Sequence, residues 1–223
     1  MKILAFDTCF NRSYIVLKED NSILSEKIIE STDKNYHSAY LIPEIRNILK
    51  SNSLFIKDID AIAINIGPGS FTGIRAGITI ARVLAQQFNT KLVGVNSLKI
   101  LSNINKEDND SIITLDARKN KVYYAVYKKN EEITAPCLIE KEELISKIKE
   151  NDTVITDVSI SEYLKENSKN SLCYENFSGN LALFTANIAE KMLNTDEKFN
   201  WAEVKPLYIQ KPSITLPKAV KNG

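Results

Sequence analysis

A glycine-rich segment is the part of this 223-residue sequence whose composition most directly suggests chemistry. Residues 67–77 read GPGSFTGIRAG and hold four of the seven glycines. They follow an apolar run at 59–66, typical of a strand buried on both faces, and lead into a predicted long helix at 71–88. Such a junction suits a phosphate group, because unpaired N–H groups and the helix dipole favour an anion. The alternative is a tight turn whose backbone packs closely against a neighbouring segment.

Two common phosphate-binding motifs do not fit this spacing. A P-loop needs a lysine directly after its last glycine, whereas Ile74 follows Gly73. A dinucleotide-binding fingerprint has the pattern GxGxxG and an acidic residue about 20 residues later. Here the pattern is GxGxxxG, and Asn96 follows the next predicted strand. Dinucleotide binding is therefore not expected.

Two acidic residues end predicted strands, Asp7 after KILAF and Asp116 after IITL. Acids in this position could hold Mg²⁺ through water, or each could cap a turn through its own side chain. The single histidine, His37, has Leu41 one helical turn later, so a metal-binding pair of histidines on one helix face is impossible. We therefore expect no metal site and no catalytic residue, and no serine or cysteine has a histidine identifiably placed as its base.

The overall composition is that of an ordinary globular protein. Hydrophobic residues make up 43% of the chain, and the formal net charge is +1. Bulk charge therefore gives no argument for nucleic-acid binding. Three widely spaced cysteines, Cys9, Cys137 and Cys173, match no zinc or redox spacing and are expected to be reduced thiols. Without a signal peptide or a membrane-spanning apolar stretch, the expected location is the cytoplasm.

The second half of the sequence repeats the first. The segment FDTCFNRSYIVLKEDNSILS, from Phe6, aligns without a gap with LDARKNKVYYAVYKKNEEIT, from Leu115. Each copy predicts a strand, an acidic residue, a tight turn and two further strands, and each leads into a helix. We interpret this as a duplicated α/β unit, with chance similarity between two hairpins as the alternative. The predicted lobes are 1–105 and 106–204, followed by an extended basic tail at 205–223.

Several segments resemble one known family. GPGSFTGIRAG, preceded by AIAINI, resembles the signature of the TsaB (YeaZ) family, bacterial proteins for tRNA threonylcarbamoyladenosine biosynthesis. Further matches follow in the same order: ILAFDTC at the N-terminus, HSAYLIPEI, VNSL, DARKNKVYYAVY and PLYIQ. The last has glutamine where the family often has arginine. The resemblance implies an actin-like (ASKHA) fold of two ribonuclease-H-like lobes, which agrees with the repeat.

The resemblance also implies a function. Proteins of this family support a TsaD-like catalytic subunit, which transfers a threonylcarbamoyl group to adenosine 37 of tRNA, together with a TsaE-like ATPase. The chain would then be a non-catalytic subunit that pairs with itself when alone, meets tRNA through the complex and contacts no membrane. An autonomous ATP-dependent, kinase-like enzyme and a homomeric scaffold module are the alternatives.

The resemblance further marks a nucleotide-proximal region, since actin-like enzymes place a phosphate-binding and metal-binding acid at the position of Asp7. No cofactor is expected, and weak ATP or ADP binding is expected only within the complex. The candidate phosphate-proximal residues are Asp7, Thr8, Gly67, Gly69 and Asp116.

The helices near 38–51 and 71–88 are the predicted partner surface. Small residues recur every four positions on the second helix, and larger apolar residues run beside them. One of these stripes must face the protein's own sheet, and full burial within one lobe is the alternative. Ile78→Glu or Ala81→Arg is then expected to give a folded monomer. The predicted interface residues are Leu41, Ile45, Phe71, Gly73, Ile74, Gly77, Ile78, Ala81 and Ala85.

Overall fold

A computed structural model describes residues 1–30, 36–129, 131–195 and 199–209, with the side chains of 36–39 left out. The first half of the chain forms a five-stranded sheet in the order β3-β2-β1-β4-β5. Its strands are β1 (Lys2–Asp7), β2 (Arg12–Glu19), β3 (Ser22–Glu30), β4 (Ala61–Asn65) and β5 (Lys91–Val95). Its helices are α1 (Tyr36–Ser51), α2 (Phe71–Phe88) and α3 (Ser97–Ser102).

The second half builds a sheet of the same design, in the order β10-β9-β6-β7-β8. Its strands are β6 (Asp110–Arg118), β7 (Lys121–Lys128), β8 (Glu131–Glu140), β9 (Thr153–Thr156) and β10 (Leu172–Cys173). Its helices are α4 (Lys141–Lys147), α5 (Val158–Glu166) and α6 (Leu181–Leu193). In both sheets three antiparallel strands are followed by two parallel ones. The predicted α/β, actin-like arrangement of two related lobes is thereby confirmed.

The central strands of the N-terminal sheet are covered on both faces. In β4, Ile62 and Ile64 pack into a cluster with the apolar sides of α1 and α2, while the alternating Ala61 and Ala63 face a second cluster. Side chains of successive strand residues point to opposite faces. A strand buried on both sides therefore reads as a continuous apolar run, as the sequence at 59–66 does.

The second face of the N-terminal sheet is covered by α6, which packs on β1, β2, β4 and β5. An ion pair joins the buried Lys18 of β2 to the half-buried Glu190 of α6, with 2.7 Å between Nζ and Oε2. The Asn180 amide, at the start of α6, donates to the carbonyl of Ile15. Helix α6, which lies within the predicted lobe 106–204, thus covers a face of the N-terminal sheet that would otherwise expose apolar side chains to water.

The chain returns to the N-terminal lobe once more after α6. Trp201 and Val204 pack against the α1–α2 side of that sheet, and the N–H of Leu207 donates to the carbonyl of Ile66 at 2.9 Å. The first residues of the predicted tail are thus held against the lobe, and the part from 210 onward lies outside the described residues. Across the described ranges, no helix combines the length and apolar character needed to cross a membrane.

Candidate functional site

The glycine-rich segment connects β4 to α2 and lies against the end of β1. The N–H of Ser70 donates to the carbonyl of Cys9 at 2.8 Å, and the hydroxyl of Thr8 donates to the carbonyl of Gly73 at 2.7 Å. Ser70 also caps α2, because its hydroxyl oxygen accepts the N–H of Gly73. The loop therefore contacts the protein's own backbone. The sequence had predicted either this kind of contact or a bound phosphate group.

Three glycines permit this contact. A Cβ atom on Gly73 would lie 1.8 Å from the carbonyl oxygen of Thr8, and one on Gly69 would lie 2.5 Å from the carbonyl oxygen of Cys9. On Gly77 it would lie 2.4 Å from the Thr8 hydroxyl. These distances are far below any real Cβ contact, so the glycines are required by internal packing. The alternative interpretation of the motif, a turn packed closely against a neighbour, describes this geometry.

Asp7 lies at the end of β1 and is fully buried. One carboxylate oxygen accepts the N–H of Cys9 at 2.7 Å, and the other accepts the amide of Asn65 at 2.8 Å. Asn65 accepts in turn from the N–H of Gly67 and the hydroxyl of Ser97. Burial raises the pKa of Asp7 to about 6, although both of its hydrogen-bond donors oppose this shift.

Sequence reasoning did not identify Asn65 and Ser97 as members of this network. A signal was available, since Asn65 is the one polar residue at the end of an otherwise apolar strand. A buried amide has to be hydrogen-bonded, and that requirement predicts a polar partner nearby. The identity of the partner depends on which segments meet in space.

Asp116 has different surroundings from Asp7. It is exposed, and its carboxylate accepts the N–H of Arg118 at 2.8 Å. Its own N–H donates to Asp157, which caps α5 by accepting the N–H of Ile160. Burial raises the pKa of Asp157, and nearby acids add to that effect. Asp7 and Asp116 each accept the N–H two residues later and so cap a turn, which is the second of the two roles predicted for them.

Within the described residues, no group of three or more His, Cys, Asp and Glu side chains is arranged to hold a metal ion. The side chain of His37 falls outside that part of the chain, so its surroundings are not described. Leu41, one turn later, is fully buried.

The two lobes meet through side chains that follow β1 and precede α6. The rings of Phe10 and Tyr174 lie 4.8 Å apart between centroids, and both are buried. The amide of Asn11 donates to Glu175 at 2.6 Å, and Arg12 donates to the carbonyl of Phe177. The junction of the lobes near Asp7 is therefore filled by the protein's own aromatic side chains.

The predicted partner surface on α1 and α2 needs a correction at the level of residues. Eight of the nine predicted residues face the lobe's own interior and are buried: Leu41, Ile45, Gly73, Ile74, Gly77, Ile78, Ala81 and Ala85. Phe71 is the exception among the nine, with 48% of its surface exposed. The small residues of α2, together with Ile74 and Ile78, are buried within the lobe, so they are not available to a partner. Ile78→Glu and Ala81→Arg are now expected to unfold the lobe.

Other side chains on the same two helices do form an exposed apolar surface. A groove of about 880 Å³ runs between α1 and α2. Ile42, Phe55 and Val83 stand along it with 55%, 68% and 58% of their surface exposed. Arg46 and Lys50 add positive charge at the α1 side. We call this the α1–α2 groove; the remaining lining residues include Leu54, Ile56, Ile80, Leu84 and Phe88.

Comparisons with known proteins give a consistent result. Residues 22–210 match the family described as "TsaD: tRNA N6-adenosine threonylcarbamoyltransferase". The tRNA threonylcarbamoyladenosine biosynthesis protein TsaB of Escherichia coli is 32% identical over 134 residues, which cover 59% of this chain and 57% of that protein. TsaB of Bacillus subtilis is 32% identical over 130 residues, which cover 57% and 56%. The match thus spans less than two thirds of either relative.

Solved structures agree on the fold. YeaZ from Pseudomonas aeruginosa superposes with a TM-score of 0.74 at 20% identity, covering 93% of this chain and 99% of that one. A second Pseudomonas aeruginosa structure, of a protein described as similar to the peptidase YEAZ, gives 0.77 at 20% identity over 94% and 99%. At this identity the likeness concerns the fold alone.

Proposed function

We propose a function from one premise: this chain belongs to the TsaB (YeaZ) family, within the family of the tRNA N6-adenosine threonylcarbamoyltransferase TsaD. The proposed role is that of a non-catalytic subunit in the complex that transfers a threonylcarbamoyl group to adenosine 37 of tRNA. Its partners are then a TsaD-like catalytic subunit and a TsaE-like ATPase. The protein works in the cytoplasm and holds no cofactor of its own.

The packing of the glycine-rich loop is the single observation that carries the non-catalytic role. Gly69 and Gly73 lie against the backbone of Cys9 and Thr8 at distances that leave no room for a phosphate between them. Both carboxylate oxygens of Asp7 are also engaged inside the protein. A phosphate or metal ion at this site would have to break those bonds, which supports weak or absent nucleotide binding by the isolated chain.

The α1–α2 groove supports a role in assembly. Soluble monomers rarely expose large continuous apolar patches, and such patches commonly mark interfaces. The groove carries exposed Ile42, Phe55 and Val83 between the two helices. We assign the TsaD-like subunit to this groove. When that subunit is missing, a second copy of the chain binds there instead. The two partners would compete, because both bind the same surface.

Charge-insertion variants test this assignment. Val83→Glu puts a charge on the exposed wall of the groove and should cost a few kcal/mol of binding, since a carboxylate that is hydrated in the free chain would lose its water at the interface. Gln86→Glu is the matched control, because it adds the same charge to an exposed position on α2 outside the groove. Size-exclusion chromatography with light scattering measures assembly, and circular dichroism measures the helical content of each variant.

The functional readout is reconstituted tRNA modification with TsaD-like and TsaE-like partners, with and without this chain. Wild type and Gln86→Glu should support modification, and Val83→Glu should fold but fail to support it. The chain alone should transfer and hydrolyse nothing. If modification proceeds equally well without the chain, or if the purified chain alone turns over ATP, the proposed role is wrong and the kinase-like alternative gains support.

A further inference from the structure

An exposed aromatic and cationic stack lies at the start of α2, away from the groove. The guanidinium carbon of Arg75 is 3.8 Å from the ring centroid of Phe71, and its Nε donates to the hydroxyl of Tyr208 at 3.2 Å. The two rings are 6.2 Å apart between centroids and 38° from parallel. Phe71 and Tyr208 keep 48% and 42% of their surface exposed, so the stack presents flat faces to solvent.

The backbone fixes this stack in position. Tyr208 follows Leu207, whose N–H is bound to the carbonyl of Ile66 just before the glycine-rich loop. Phe71 is the first residue of α2, directly after its capping Ser70. The backbone next to both rings is therefore already held before any ligand arrives, which lowers the entropy cost of binding to them.

Basic residues accompany the stack in the chain. Helix α2 contains Arg75 and Arg82 and no acidic residue, and Lys205 is exposed close to Tyr208 in sequence. Glu203 is also exposed, two residues before Lys205. Arg75 lies within the stack itself, and Lys205 adds a second positive charge three residues before Tyr208 in the chain.

Flat aromatic faces next to arginine and lysine match the chemistry of unpaired RNA. Bases of single-stranded loops stack on aromatic rings and on guanidinium planes, while lysines neutralise the phosphates. We propose that Phe71, Arg75, Lys205 and Tyr208, the aromatic–arginine patch, contact an unpaired loop of the tRNA substrate. This inference rests on the proposed function, in which tRNA is the substrate of the complex. A membrane surface is less suited, because the patch offers planar faces and no apolar protrusion.

Three variants test the patch in the complex with the catalytic partner. Fluorescence anisotropy measures the affinity for an anticodon stem-loop RNA at several salt concentrations. Tyr208→Ala and Arg75→Gln should each weaken binding by about tenfold, the loss expected for one base–aromatic contact. Lys205→Gln should lower the salt slope by about 0.7, the value for one phosphate of a single strand. Ile133→Ala and Lys165→Gln are matched controls, because both change exposed residues of the other lobe.

The outcomes separate this inference from the proposed function. Size-exclusion chromatography first establishes that each variant still binds the catalytic partner. If Tyr208→Ala or Arg75→Gln releases that partner, the patch is a protein interface and the RNA assignment is wrong. If Tyr208→Ala and Arg75→Gln both bind RNA as tightly as wild type, the RNA contact is refuted. This conclusion holds even if the wild-type chain supports tRNA modification. Failure of the proposed function shows instead as wild-type protein that leaves modification unchanged.

Discussion

Replacing Gly73 by alanine tests whether the glycine-rich loop exists for packing or for a ligand. The new Cβ would lie 1.8 Å from the carbonyl oxygen of Thr8, whereas an ordinary contact is at 3.4–4 Å. The obstacle is backbone, which cannot rotate away as a side chain does. Helix α2 and the end of β1 must therefore separate by more than about 1 Å, a displacement that a well-packed lobe resists.

The magnitude follows from the interactions that this displacement disrupts. Overpacking of a tight core costs up to about 3 kcal/mol. Two hydrogen bonds, from Thr8 to Gly73 and from Ser70 to Cys9, are broken by the same displacement, at about 1 kcal/mol each. Alanine recovers at most about 1 kcal/mol through its better helix propensity. The net loss is about 4 kcal/mol, which lowers the melting temperature of a chain of this size by about 10 °C.

Thermal unfolding followed by circular dichroism measures this loss. Thr72→Ala is the matched control, because Thr72 is exposed in the same helical turn, and its melting temperature should change by no more than about 2 °C. A Gly73→Ala protein as stable as wild type would refute the packing argument. If that stable protein also failed to support tRNA modification, the glycine would be needed for close approach of a ligand instead.

Three further predictions concern buried polar groups. Because the pKa of Asp7 is raised from 3.8 to about 6 in the folded protein, folding favours the protonated carboxyl, and this contribution to stability is largest below about pH 4 and is lost as pH rises through 6. Wild type should therefore lose about 2 kcal/mol relative to Asp7→Asn between pH 4 and 7 in denaturant titrations, and a constant difference would contradict this. Glu190→Gln should cost about 1 kcal/mol of unfolding free energy, because the buried Lys18 ammonium loses its charge partner but keeps its hydrogen bond to Asn187, and adding Lys18→Met should recover much of that loss. The Cys9 thiol, whose pKa burial raises, should resist alkylation at pH 8 until the protein unfolds, and rapid labelling in the native state, read by mass spectrometry, would count against its burial.

The sequence alone was sufficient to predict many of the helices and strands and the repetition of the hairpin unit. The helix at 71–88 has the predicted bounds, because the periodicity of its apolar residues is a local signal. The duplicated hairpin was readable because both copies place an acid, a turn and alternating strands at the same spacing. The shared strand order of the two sheets follows from that duplication.

Only the tertiary structure shows which side chains of α2 are buried and which are exposed. Its small and large apolar stripes look alike as candidates for a partner, yet the small residues, Ile74 and Ile78 are buried within the lobe. The exposed groove uses Ile80, Val83 and Phe88 instead. Sequence periodicity identifies the faces of a helix, but it does not say how much of the circumference its own sheet will cover.

The path of the chain after the second sheet also could not be predicted from the sequence. The sequence of helix α6 shows an apolar face but does not indicate which sheet that face covers. In the structure α6 packs on the N-terminal sheet, where Glu190 pairs with Lys18 and Asn180 donates to the carbonyl of Ile15. The same holds for Tyr208, which meets Arg75 although the two are 133 residues apart in the chain. Such contacts depend on which surfaces remain uncovered after the sheets form, and that is a property of the assembled fold.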